Sequence, residues 1–425
     1  MSSYRSAVQT CPVVVIGLVL SFITVIGWAP PASAVGNLKL GPVELHPYFQ
    51  VAESYDSNVC RSENMVCQNP NDPSKSKDAN DWLTVFTPGL QAALPFQNGR
   101  FEAEYRGDWG RYNDLKTWNY SDNLSRGNLA FKFAGGLGLR LKEEYTNGHD
   151  APGYAQSVQL DLYHRVTSGA GMDMEVGPKL KFSLDYTNML LNYADDARNG
   201  FRDLIDNTYG GTIYYKFLPK TSALLEYTYT ATSFEENNPG PIGDAGLTNI
   251  KMNNKDQRGY LGLTWDITAR SQGTAKVGYS VKDYQESGLD TFKGGIVSIA
   301  LSHELTERTS LKFDAIRDVQ ESYVVNQPYY LTTGGRLVLN HNIHPKVSFK
   351  LNAGFSRDQY PNDMTIGTET RKRIDNSWDL GGKFEYRIQQ WLNFGLGYDF
   401  SQRRSNFSDF GYVDNLYTFS VGTLL

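Results

Sequence analysis

Residues 99–114, GRFEAEYRGDWGRYND, alternate strictly. Phe101, Ala103, Tyr105, Gly107 and Trp109 fall on one side of an extended chain, with Glu102, Glu104, Arg106 and Asp108 on the other. A strand face given over to charges needs water, because each unpaired charge in a dry core costs several kcal/mol. A soluble sandwich would turn that face to bulk solvent. A membrane barrel would turn it to its own lumen and offer the apolar face to lipid. The same period-two pattern recurs from residue 44 to the C-terminus, with apolar faces such as Leu180, Phe182, Leu184, Tyr186 and Val347, Phe349, Leu351, Ala353, Phe355. No helical 3.6-residue pattern of useful length interrupts it.

The connections decide between the two. Short ones (97–99, 135–136, 177–179, 218–220, 268–271, 344–346, 389–390) alternate with long polar ones (56–80, 113–121, 149–157, 195–203, 234–256, 321–329, 360–371, 404–410). Tight turns at one end and long loops at the other describe an antiparallel up-and-down meander, as in outer-membrane barrels with periplasmic turns and extracellular loops. The expected fold is all-β: a closed transmembrane barrel of about 18 strands, within two either way. A propeller would repeat at a period of about 40 residues, and no such repeat is visible. A sandwich gains nothing from Tyr, Phe and Trp on one face of every strand, whereas a barrel sets those rings against hydrocarbon and their polar tips at the headgroups.

Composition agrees without deciding. The chain is 13% aromatic with 27 Tyr and 40 Gly, and its mean hydropathy of −0.45 looks soluble. Transmembrane barrels look soluble too, since half of each strand faces water. Residues 1–34 read as a signal peptide: Arg5, the apolar run 13–29, then PPASA with Ala32 and Ala34 in small-x-small spacing. An uncleaved anchor is the alternative. Cleavage after Ala34 removes only Arg5 among the charged residues, leaving 40 basic against 46 acidic side chains over 35–425, the expected barrel domain. That balance argues against nucleic acid as a partner. Beyond the signal no further run of about 18 apolar residues exists, which excludes a helical membrane domain. Cys60 and Cys67 share one polar segment of an exported chain, where a disulfide is the expected state and two free thiols the alternative.

Two stretches carry a resemblance. LKLGPVELHPYFQVAESYDSNV (38–59) looks like the first strand of the β-barrel porin-2 family of Gram-negative outer membranes, and residues 82–114 resemble its next hairpin, with Thr-Pro-Gly-Leu at 87–90 and a tyrosine at 112. The resemblance implies a monomeric outer-membrane barrel, in a family associated with exopolysaccharide secretion loci. It carries no catalytic residues. The Cys60–Cys67 segment departs from it. The terminal strand LYTFSVGTLL alternates to its end, as in the signal read by the outer-membrane assembly machinery, although that signal usually ends in Phe.

Alternation nominates the lumen-lining residues: Glu102, Glu104, Arg106 and Asp108; Arg140, Lys142 and Glu144; Lys181, Asp185, Glu226, Lys276, Lys312, Asp314 and Lys350; then Asp379, Lys383, Glu385, Arg387 and Asp399. Both signs are mixed, so the wall reads either as a solvated lining or as a weakly selective track for a small polar solute or a polysaccharide. Arg371, Lys372 and Arg373 begin one strand and Arg403 and Arg404 end the next. They are candidates for contact with lipopolysaccharide phosphates, with a solvated loop as the alternative. His341 and His344 lack a third ligand, and no G-x-S-x-G, H-E-x-x-H or phosphate loop occurs. The sequence therefore points to a porin-like channel with no metal, cofactor or catalytic site. A non-conducting scaffold, adhesin or surface enzyme is the alternative.

Overall fold

The computed structural model describes residues 38–67, 76–150, 160–195, 199–235, 251–268, 270–286, 288–322, 324 and 327–424. The expected signal segment, 1–34, lies outside them. The alternating segments become eighteen long strands: β1 (Val43–Asp56), β2 (Asp81–Phe96), β3 (Gly99–Tyr112), β4 (Tyr120–Lys132), β5 (Leu137–His149), β6 (Leu162–Val176), β7 (Leu180–Tyr193), β8 (Leu204–Leu218) and β9 (Thr221–Phe234). The second half comprises β10 (Asn254–Thr268), β11 (Ser271–Tyr284), β12 (Phe292–Thr306), β13 (Thr309–Glu321), β14 (Tyr329–His344), β15 (Val347–Ile366), β16 (Glu369–Gln389), β17 (Leu392–Ser405) and β18 (Tyr412–Leu424). Each pairs antiparallel with its neighbours in sequence. β1 pairs with both β2 (Asp56↔Asp81) and β18 (Tyr48↔Leu424), so the sheet closes and no long edge is left. A short strand, Leu38–Leu40, folds back on the start of β1.

The two faces separate as the alternation requires. Outward positions at mid-strand carry large exposed apolar side chains, among them Leu184, Leu261, Val277 and Leu396, which a water-soluble fold would bury. Outward tyrosines repeat one contact. The hydroxyls of Tyr105, Tyr186, Tyr227 and Tyr398 donate to Asn123, Asn207, Gln257 and Asn415 at 2.9, 2.9, 3.0 and 2.9 Å. Each acceptor lies on the next strand, two residues toward the long-loop end from the tyrosine's direct partner. The ring meets hydrocarbon while the hydroxyl is satisfied. Placing a charge in that belt has a large expected cost. Val277→Arg lowers unfolding free energy by about 2–4 kcal/mol, whereas inward Thr228→Gln costs about 0.5 kcal/mol or less. Urea titration of both variants in lipid vesicles checks the difference.

Two connections differ from the sequence reading. Residues 360–371 are not a loop: β15 and β16 continue past an irregularity between Gln359 and Asp363 and meet in a tight turn at Gly367, whose φ is +60°. Thr365 and Thr370 join hydroxyls across that turn at 2.8 Å, so a polar stretch resembling a loop is a solvated hairpin. The connection 285–291 between β11 and β12 is a further long-end loop not anticipated from composition.

Candidate functional site

The inner wall is the site. Directly paired residues share a face, so Glu104 lies inward with Gln91 of β2 and Arg126 of β4. It pairs with Arg126 and accepts from Tyr48 Oη of β1 at 3.4 Å. The Thr-Pro-Gly-Leu motif acquires a reason here. Tyr48 crosses the barrel wall over Gly89, where an added Cβ would fall 2.0 Å from its ring. Thr87 Oγ1 donates to Asp108 Oδ1 at 2.9 Å, and Pro88 turns outward beside Phe49. Gly89→Val should evict the Tyr48 ring and its Glu104 contact, costing about 1–3 kcal/mol in the same urea titration. Gly89→Ser, smaller, should cost less.

Ion pairs tile the rest of this wall. Arg140 bridges Asp173 and Asp185, both at 2.9 Å, while Lys181 reaches Asp173 at 3.1 Å. Arg106 meets Asp108 (2.8 Å), Glu102 meets Arg100 (2.7 Å), and Lys142 meets Glu144 (3.5 Å). Lys276 Nζ lies 2.9 Å from Glu226 and 4.7 Å from the Tyr260 ring centre. On the other side Lys383 pairs with Glu385 (2.7 Å), and Arg336 approaches Asp379 at 3.9 Å. Lys350 stands directly opposite Lys383 in the ladder, and Lys312, Asp314, Arg387 and Asp399 occupy inward positions of the same five strands. All nineteen residues nominated from alternation take inward positions. Sequence reasoning overlooked their partners Arg100, Arg126, Asp173 and Arg336, although these lie in phase with the nominated side chains and were open to the same rule.

The wall divides between β12 and β13. β12 and β13 pair only from Thr306↔Thr309 to Val297↔Arg317, after which β12 continues with β11 alone and β13 with β14 alone. Ile296, Val319, Phe292 and Tyr260 fill the split as an apolar cluster. Freed from β12, the end of β13 leans across the inner faces of β10 and β11. Asp318 there takes Arg258 at 2.8 Å, and Arg258 also holds Asp256 at 2.7 Å. Glu321 pairs with Lys282 and accepts from Asn254 Nδ2 at 3.0 Å. These bonds bind β13 to strands two and three places away, and with Asp206 and Glu226 they line a cavity of about 520 Å³. Alternation alone could not show this, because it assumes that strands stay in the wall.

The first long loop is tied down. Cys60 and Cys67 form a disulfide with Cα atoms 5.5 Å apart. Val59, Cys67 and Ala79 of this first loop pack against Leu115 and Trp118 of the β3–β4 loop and against inward-facing Tyr112. The described part of loop 56–80 is therefore held against the β3–β4 loop, while most of loop 234–256 lies outside the described residues.

The five basic residues nominated near the tip do not share one face. Arg373 is buried, bonds Asp375 through Nε at 2.9 Å and stacks 3.4 Å from the Phe410 ring centre. Arg403 Nε donates to the Phe410 carbonyl at 2.6 Å. Arg371 pairs with Glu369 at 2.5 Å. Lys372 stands opposite Asp363, and only Arg404 lies free on the outer wall, 5.5 Å from the Trp378 ring centre. Hairpin adjacency was legible, but successive residues of a strand point to opposite faces.

A family model described as Putative beta-barrel porin 2 matches residues 30–423. The chain belongs to this family. As a member it is an integral outer-membrane barrel of porin-like architecture, its short turns periplasmic and its long loops extracellular. No curated protein sequence matches it significantly. Among solved structures it is similar to OccK5 (OpdH) of Pseudomonas aeruginosa, at 12% identity over 90% of this chain and 98% of that one, with a TM-score of 0.44. OpdL of the same organism gives 12% identity, coverage of 91% and 99%, and a TM-score of 0.45. The siderophore receptor PirA from Acinetobacter baumannii gives 9%, 93% and 81%, and 0.44. Likenesses this distant carry no information about solute or mechanism.

Proposed function

We propose that this porin-2 member is a passive, water-filled channel for polar solutes. The supporting observation is the inner wall, where carboxylates and cations of a closed barrel form ion pairs on strands from β3 round to β16. Such a lining has no use in a dry core and every use beside a water column. Mixed signs give weak selectivity, and Arg258, Lys282, Asp318 and Glu321 draw the end of β13 toward β10 and β11. A second reading is the exopolysaccharide association of the family resemblance. Inward aromatic rings flanked by lysines favour it: Lys181 lies 5.4 Å from the Tyr214 ring centre and Lys276 lies beside Tyr260, an arrangement that suits sugar rings. Conductance of the refolded protein in planar bilayers tests both. Stable open steps are expected, and silence overturns the channel. Steps that added oligosaccharide blocks favour the second reading, and steps indifferent to sugar favour a general small-solute pathway.

A further inference from the structure

We propose that the outer face of β13–β17 is a binding site for lipopolysaccharide, engaging its lipid A phosphates through Arg317, Arg357 and Arg404. Direct pairing makes one row across the outer wall: Arg317↔Thr333, Thr333↔Arg357, Arg357↔Asn376 and Asn376↔Arg404. An arginine occupies every second strand, so neighbouring guanidinium stems stand about 9–10 Å apart.

The height of the row suits phosphate. One outward step below it lie Phe355 and Trp378, ring centres 5.4 Å apart, and below them Leu351, Leu380 and Leu396 face outward. The guanidiniums therefore stand just above the apolar belt at its extracellular boundary, where the phosphates of an outer-leaflet glycolipid lie. Arginine forks match phosphate oxygens bidentately.

Charge bookkeeping separates this row from the lumen. Inner cations mostly hold a carboxylate, whereas in the described structure Arg357 and Arg404 form no ion pair, and Arg317 makes only a 3.0 Å hydrogen bond to Thr333 Oγ1. The outward positions of β14–β17 below the irregularity at Gln359 contain no Asp or Glu. Across the barrel, outward positions near the same boundary are neutral: Asn123, His164, Asn188 and Asn207. Arg111, outward on β3, is committed to the Tyr120 carbonyl at 2.6 Å and to Ser121. The outward lysines Lys255 and Lys293 stand apart from the row, on β10 and β12, and Lys255 faces Asp283 across the ladder.

The experiment uses the full-length barrel in detergent, titrated with bisphosphorylated lipid A, with its dephosphorylated form and with inorganic phosphate, and read by native mass spectrometry. The wild type should retain bisphosphorylated lipid A at least about tenfold more tightly than the dephosphorylated form. The triple variant Arg317→Gln, Arg357→Gln, Arg404→Gln should lose that preference, and Arg111→Gln should keep it. Heat-modifiable migration shows that each variant is folded. Equal binding by wild type and triple variant overturns the proposal. So does displacement by millimolar inorganic phosphate, which marks a general anion site. Neither result bears on conductance, so this site and the channel stand or fall separately.

Discussion

Arg202→Met should open the extracellular loops around β6 and β7 while leaving the barrel wall intact. Arg202 ends the short helical turn Gly200–Arg202, and its side chain is 1% exposed. Nη1 meets Asp161 at 3.2 Å, Nη2 reaches Asp150 and the Tyr193 hydroxyl (2.6 Å), and the guanidinium lies 4.0 Å from the Tyr193 ring centre. Asn199 Nδ2 adds a bond to Asp161 at 3.0 Å. Burial opposes the guanidinium charge, but Tyr193, Asp150 and Asp161 more than offset that and raise its pKa. It therefore remains cationic at every physiological pH. Removing it leaves two carboxylates in a poorly hydrated pocket, a change worth about 3–5 kcal/mol for a buried pair broken on one side. The loss is local because the barrel's ladder does not pass through these loops. Limited proteolysis should cut the variant between β5 and β8 at protease levels that spare the wild type. Heat-modifiable migration should be unchanged. Arg202→Met with Asp161→Asn should recover part of the protection, since the stranded charge is then gone. Equal resistance of Arg202→Met and wild type would mean that this cluster holds nothing in place.

How far the sequence announces such features depends on how local they are. The strand count, the closure and the inward phase of Glu102 through Asp108 follow from period two and from alternating connection lengths, both local signals. The lipid face is equally legible, but Arg317 and Arg357 belong to no run of consecutive basic residues and stand out only by being in phase with Phe313 and Phe355. The row they form with Arg404 needs the register of five strands, which no single strand encodes. The 360–371 hairpin was mistaken for a loop because strands standing above the membrane lose the apolar half of their alternation. The split between β12 and β13 was illegible for another reason. Asp318 and Glu321 meet Arg258 and Lys282 only because β13 leaves β12, and that departure is set by how Ile296 and Val319 pack into the gap.

That split sets the second large effect. Around it, Asp206, Glu226, Asp256, Asp318 and Glu321 face Arg258, Lys276 and Lys282, five acids against three bases. Arg258 neutralises two of the acids at once, holding Asp256 and Asp318 at 2.7 and 2.8 Å. Arg258→Gln keeps much of the side-chain volume but strips the charge, leaving two carboxylates turned toward the passage. Field lines concentrate in a narrow, low-dielectric opening, so an uncompensated acidic pair there raises local cation concentration far more than the same pair on an open wall. In a salt-gradient bilayer experiment the reversal potential should move several-fold closer to the potassium equilibrium value than for the wild type. Raising the ionic strength should reduce the shift only in part, because Asp256 and Asp318 are 4% and 14% exposed and such charges are screened less than those on an open wall. Lys383→Gln, outside this cluster, should leave the potential nearly unchanged. A variant that keeps wild-type selectivity would mean that ions do not pass between β10 and β13. The channel would then have to run along the opposite wall, beside Lys350 and Lys383.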